Sequence, residues 1–283
     1  MKLSRQTADI YVPDGIDAAT ALSRTTHLGI AAHQDDLEIM AADGILACYQ
    51  QPDRWFTGVV VTDGAGSPRS GRYRDFTDLQ MREVRRTEQK TAADIGKYSA
   101  VVLLDHSGAV VRDAASNGPV DDLVEVLRAT RPTVVYTHNL ADKHDTHVAV
   151  ALRVVAATRR LPSAERPMRL YGCEVWRDLD WVGDDEKVVF DLSAHEDLRA
   201  ALVSVFDSQI AGGKRYDLAT EGRRRANATY AAAHGTDTAS ACSYALDLTP
   251  LVSDDSLDAA AFMRGVLDRF RQDVEDRIAR HKR

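Results

Sequence analysis

Residues 27–38 read His27-Leu28-Gly29-Ile30-Ala31-Ala32-His33-Gln34-Asp35-Asp36-Leu37-Glu38. An apolar run of strand length stops abruptly in four polar residues, three of them ionisable. Three further runs of the same kind follow at Trp55–Thr62, Ala100–Leu104 and Thr133–Thr137. All four are mostly apolar rather than alternating, as strands covered on both faces are. Helical stretches separate them at Asp36–Gln51, Leu79–Ile95 and Val120–Ala129. A fourth begins near Asp145, where Val148, Ala151, Leu152 and Val155 make one apolar stripe. This β-α-β-α order predicts an α/β, Rossmann-like, doubly wound and mostly parallel sheet.

The second half predicts C-terminal α/β additions. Leu170–Trp176 and Lys187–Leu192 read as strands, and Ala194–Ile210 as one helix with Ser193 as its N-cap. Met263, Leu267, Phe270, Val274 and Ile278 mark an amphipathic final helix, expected to pack on the same domain. Two polar stretches read as loops: 63–78, and 211–230 with its cluster Arg223, Arg224 and Arg225. The expected organisation is a lead-in segment over 1–25 and a single domain over 26–283.

In a sheet of this kind, ligands bind outside the carboxyl ends of the strands. Burying several carboxylates there is costly unless a cation neutralises them. The end of the fourth strand carries a matching cluster, with three histidines (His138, His144 and His147) beside Asp142 and Asp145. If the two strands are neighbours, both clusters face one crevice. Imidazole and carboxylate donors favour zinc, and iron or cobalt also fits. A catalytic zinc takes three protein ligands and leaves one position open.

The 283 residues carry 36 Lys and Arg against 43 Asp and Glu, a formal charge of −7, with 44% hydrophobic residues. The mean hydropathy of −0.31 is that of an ordinary soluble chain. The acidic balance argues against nucleic-acid binding, and no apolar run is long enough for a bilayer. The first nine residues lack the apolar core of a signal peptide. Three scattered cysteines suggest reduced thiols. A cytoplasmic protein with a small-molecule substrate is expected, with no nucleic acid or membrane partner; a homo-oligomer is compatible.

His33-Gln34-Asp35-Asp36 resembles the Ala-His-Pro-Asp-Asp signature of the PIG-L/LmbE-like deacetylases, and Asp142-x-His144-x-x-His147 resembles their His-Pro-Asp-His motif. Val59–Gly64, Val84–Glu88 and the segments at Glu174–Trp176 and Asp191–Ser193 are similar too, so the likeness spans residues 26–210. It implies one Zn2+ held by His33, Asp36 and His147, with Asp35 as general base. It implies His144 as the protonated partner of the oxyanion or leaving amine. The activity implied is removal of an acetyl group from an N-acetylglucosamine-type conjugate.

Two departures stand out: Gln34 replaces the motif's Pro, and Thr146 replaces the Asp before the last His. Thr146 can accept a hydrogen bond but brings no charge, leaving Asp142 or Asp145 to support His144. Asp63 and His106 are candidate substrate contacts at the ends of the second and third strands. Arg85 and Glu88 read as a helix-face pair. Two rival readings are a metal amidase on a non-sugar N-acyl compound and a non-catalytic sugar- or nucleotide-binding module. The chain has no Gly-x-Gly-x-x-Gly turn for a dinucleotide and no Gly-x-Ser-x-Gly elbow for a serine hydrolase.

Overall fold

The computed structural model describes residues 1–231 and 235–282. In chain order its elements are β1 (Asp9–Tyr11), α1 (Ala18–Ser23), β2 (His27–Ala31), α2 (Asp36–Met40), α3 (Ala42–Cys48), β3 (Phe56–Thr62), α4 (Asp78–Gly96) and β4 (Ala100–His106). There follow α5 (Gly108–Arg112), α6 (Gly118–Thr130), β5 (Val134–His138), α7 (Asp145–Arg159), β6 (Arg169–Cys173) and β7 (Lys187–Asp191). The last are α8 (Glu196–Ser204), α9 (Asp207–Ile210), α10 (Tyr216–Tyr230), β8 (Cys242–Asp247), α11 (Thr249–Ser253) and α12 (Ala259–His281).

The strands form one sheet in the order β1-β4-β3-β2-β5-β6-β8-β7. The five from β4 to β6 are parallel; β1, β8 and β7 add antiparallel edges. Within the parallel part the chain winds outward from β2 to β3 and β4, then returns beside β2 as β5. This places the topological switch point between β2 and β5. Both faces are covered. Leu28, Ile30, Val59 and Val102 face a core with α6 and α7, while Ala31, Val60 and Val101 face one with α2, α3 and α4.

Several expectations need correcting. The first helix is broken at Ala41 into α2 and α3. Within α3, Gly44 lies against Tyr136, where an added Cβ would come within 2.6 Å of the ring. The helix expected over Ala194–Ile210 is two, α8 and α9; Ser193 does not cap α8 but bonds Asp191. The stretch read as an Arg-rich loop is largely α10, with Arg224 buried and donating to the Glu38 carbonyl. The final helix buries Met263 and Val266, and Phe270 meets Trp181 edge-on at 5.9 Å; Leu267, Phe270, Val274 and Ile278 are otherwise exposed. Residues 1–25 carry β1, paired with β4, and α1. Among the described residues no helix is long and apolar enough to cross a membrane.

Candidate active site

The chain leaves β2 toward one face of the sheet and β5 toward the other, and the crevice between them holds both polar clusters. His33 Nδ1 lies 3.1 Å from Asp36 Oδ2 and 3.2 Å from His147 Nε2. Asp36 Oδ2 and His147 Nε2 are 3.3 Å apart. Three donor atoms thus form a nearly equilateral triangle. Around a zinc with bonds of about 2.0–2.1 Å, tetrahedral ligands sit about 3.3 Å from one another. The triangle has the size of such a face.

The hydrogen bonding makes the lone pairs available. His147 Nδ1 faces Asp142 Oδ2 at 3.4 Å, so the ring donates there and turns Nε2 to the triangle. Asp142 is fixed in turn by the backbone N–H groups of His144 and Trp176. The charges point the same way. Burial pushes Asp36 up, but the charges of His147 and His138 outweigh it and hold the carboxyl well below its usual range. Burial pushes His147 down, but Asp36 and Asp142 outweigh that and raise it to about 9. A proton on His147 fills the role of a cation between two buried carboxylates, and a dication would fill it more fully.

His138 also lies close, with Nε2 3.5 Å from Asp36 Oδ2. Asp36, His138 and His147 therefore make a second donor group of metal-binding size, in which His138 Nε2 accepts a 2.8 Å bond from the Ala32 N–H. The His138 ring stacks on that of His147 at 3.8 Å between centroids and fixes its plane.

His144 caps α7: its Nδ1 accepts from the Thr146 N–H at 3.3 Å, which leaves the proton on Nε2. Burial, then the charges of His147 and His33, push its pKa down. The position thus offers an Nε2–H donor where the resemblance implies a protonated partner. Neither carboxylate considered as a substitute bonds its imidazole. Asp142 serves His147 instead, and Asp145 is exposed. Thr146 accepts a 3.0 Å bond from Arg112.

Asp35 is held at φ 92°, an unusual conformation for a residue with a Cβ. Its buried carboxylate meets Arg85 at 3.1 Å. Burial raises its pKa to about 6; Asp36 adds to the rise and Arg85 opposes it. Arg85 does pair with Glu88, but the pair is buried, and Arg85 also clamps Asp35. Nothing in its spacing announces that second partner.

Residues 28–158 match the family model described as GlcNAc-PI de-N-acetylase, PIG-L. This segment is a PIG-L domain. The PIG-L domain supplies the triangle, Asp35, Asp142 and His144, while residues beyond it wall the cavity. That cavity, about 440 Å³, is lined by His33, Asp35, Asp36 and His144 from the PIG-L domain and by Trp176 and Tyr216 from beyond it. Gly64 sits on its floor at φ 73°, where a Cβ would strike Gln34 and Arg85. Asp63 reaches the cavity and also accepts from the Ala65 N–H at 3.1 Å, so it both lines the site and fixes its turn. The expectation that His106 touches substrate is corrected. His106 is buried, bonds Asp122 at 2.8 Å and is absent from the cavity lining.

Solved structures share the fold across most of the chain. The N,N'-diacetylchitobiose deacetylase of Pyrococcus horikoshii has a TM-score of 0.62 at 14% identity, covering 83% of this chain and 88% of its own. A conserved protein of Thermus thermophilus has a TM-score of 0.60 at 22% identity, covering 83% and 100%. The 4-carboxy-2-hydroxymuconate hydratase of Pseudomonas putida has a TM-score of 0.58 at 16% identity, covering 79% and 96%. No curated protein sequence matches the chain.

Proposed function

We propose that this chain is a zinc-dependent N-deacetylase, with His33, Asp36 and His147 holding one ion. The observation that carries the reading is the His33–Asp36–His147 triangle, backed by Asp142 and flanked by the buried carboxylate of Asp35. When bound, the ion makes water a stronger nucleophile at neutral pH and polarises the amide carbonyl. Asp35 takes a proton from the attacking water. A carboxylate with a pKa near 6 is ionised at neutral pH yet still basic enough for this work. The same carboxyl then returns the proton to the amine nitrogen as the C–N bond breaks. The Nε2–H of His144 donates to the carbonyl oxygen as negative charge develops there. Trp176 and Tyr216 wall the cavity and keep bulk water away from the reacting carbonyl.

Fold alone does not choose the reaction, because the neighbours include a hydratase as well as a deacetylase. The description of the matched family and the archaeal deacetylase favour amide hydrolysis on an N-acetylated amino sugar. Three buried free thiols accord with a cytoplasmic setting. The test measures acetate release from a panel of N-acetyl sugars and N-acetyl amino acids by the zinc-loaded protein. Asp35→Asn is expected to retain zinc and lose turnover by about 10²–10⁴-fold. Full turnover in that variant, or no acetate from any substrate, overturns the reading.

A further inference from the structure

The cavity at the triangle contains two cations that the hydrolytic reading leaves unused. Arg112, at the end of α5, donates through one guanidinium nitrogen to the Thr146 hydroxyl at 3.0 Å. The same nitrogen lies over Gly108, 3.1 Å from where a Cβ would stand, so the glycine leaves it room. Lys214 lies over the Trp176 ring, its Nζ 4.9 Å from the ring centre. Among the described residues neither has a carboxylate oxygen within 4.0 Å. Arg85, the third cation of the lining, is committed to Asp35 and Glu88.

Three carboxylates line this cavity: Asp35, Asp36 and Asp63. Asp35 pairs with Arg85, and Asp36 with His33 and His147. Arg112 and Lys214 are the cations of the lining that no carboxylate meets among the described residues. The neighbouring cavity, about 290 Å³, shares Asp36, Trp176 and Tyr216 and adds Lys143, Arg223 and Arg224 together with Glu174, on whose carboxyl the charge of Arg223 acts.

We propose that Arg112 and Lys214 select a substrate bearing a carboxylate or phosphate group. A guanidinium braced on one arm keeps its remaining N–H groups for a two-point contact with such an anion. Thr146 makes this possible. Its hydroxyl orients Arg112 without neutralising it, whereas an aspartate at this position would pair with the guanidinium and cancel the site. The inference rests on the hydrolytic reading for the presence of the ion, and it is tested apart from turnover.

The binding arm uses amine products, which need no chemistry. Calorimetry on the zinc-loaded full chain compares glucosamine, glucosamine 6-phosphate and muramic acid. The expected result is at least about tenfold tighter binding of one anionic probe than of the neutral one. The preferred probe tells phosphate from carboxylate. The preference should shrink at high salt and largely vanish in Arg112→Met and in Thr146→Asp, with zinc content unchanged. Equal binding of neutral and anionic probes overturns the proposal. So does a preference that survives Arg112→Met and Lys214→Met together, since the ion alone would then be its source. The kinetic arm compares acetate release from the matching N-acetyl compounds, where Arg112→Met should raise KM for the anionic substrate and leave kcat nearly unchanged. An anion preference in binding without any acetate release would uphold this site and remove the deacetylase reading.

Discussion

At the end of β4, Asp105 and His106 are as deeply buried as Asp36 and His147 beside β2 and β5. Both places are strand ends in one parallel sheet, and both hold an acid and an imidazole. Their partners differ. Asp105 is met by Arg82, Arg86 and the Thr7 hydroxyl. His106 is bonded to Asp122, which also accepts from the backbone and side chain of Ser4 at 2.6 and 2.7 Å. At β4 the protein supplies every counter-charge itself. At the switch point, donor atoms from three residues converge and no Arg or Lys enters the triangle. A cluster that Arg, Lys and hydroxyl partners surround is architecture; a cluster whose imidazole and carboxylate donors converge without them is a candidate site for an ion.

Four measurements press on that contrast. The largest effect is expected from His147→Ala, which removes one corner of the triangle. Zinc should fall to a trace by elemental analysis and acetate release to background, while a variant that keeps a full equivalent of zinc would break the comparison. Next comes Asp142→Asn, which removes the charge behind His147 but keeps its shape. Zinc affinity, read by competition with a chelator, should weaken by about 10–100-fold.

His106→Ala probes the other strand end. It leaves the buried Asp122 with one partner fewer and should cost about 1–3 kcal/mol in denaturant melts, with zinc content unchanged. The pH dependence should change with it. Burial pushes Asp122 up, but the bonds from His106 and Ser4 outweigh it and hold the carboxyl below its ordinary value. Its stabilising share is therefore present above about pH 4 and is lost as pH falls through the lower folded value. Without His106 that acid sensitivity should diminish.

The smallest effect is expected at Glu38, where burial raises the pKa to about 8 against bonds from Tyr98 and Gln89. The sign is opposite here. Folding takes up a proton between the ordinary 4.5 and about 8, so the share of Glu38 is full below that window and declines as pH rises through it. Glu38→Gln should flatten the decline, seen as a Tm that changes less between pH 5 and pH 8.

Much of the fold is legible in the chain because the parallel strands are continuous apolar runs with helical periods between them. β1 is not, since three residues are too few to show a period. α10 is hidden because its buried residues are Arg224, Asn227 and only one small aliphatic, Ala228. The break between α2 and α3 leaves no mark in the apolar pattern of residues 36–51. His33, Asp35, Asp36, His144 and His147 are readable because each lies in one of two short motifs. The different fates of His106 and His138 are not. Both follow a strand run, and only tertiary geometry shows that one bonds Asp122 while the other stacks on the His147 ring. Arg85 is invisible for the same reason, since its service to Asp35 crosses from α4 to the turn after β2.

The twist of the chain at Asp35 has one more consequence. A side-chain-bearing residue at φ 92° stores roughly 1–3 kcal/mol that the surroundings must restrain. Several contacts restrain it: the Arg85 guanidinium on its carboxylate, Gln89 accepting from its N–H at 3.4 Å, and the next carboxylate, Asp36, accepting from the His33 N–H at 2.8 Å. The turn is wound by the protein's own bonds, so the Asp35 carboxylate is preset before anything enters the crevice.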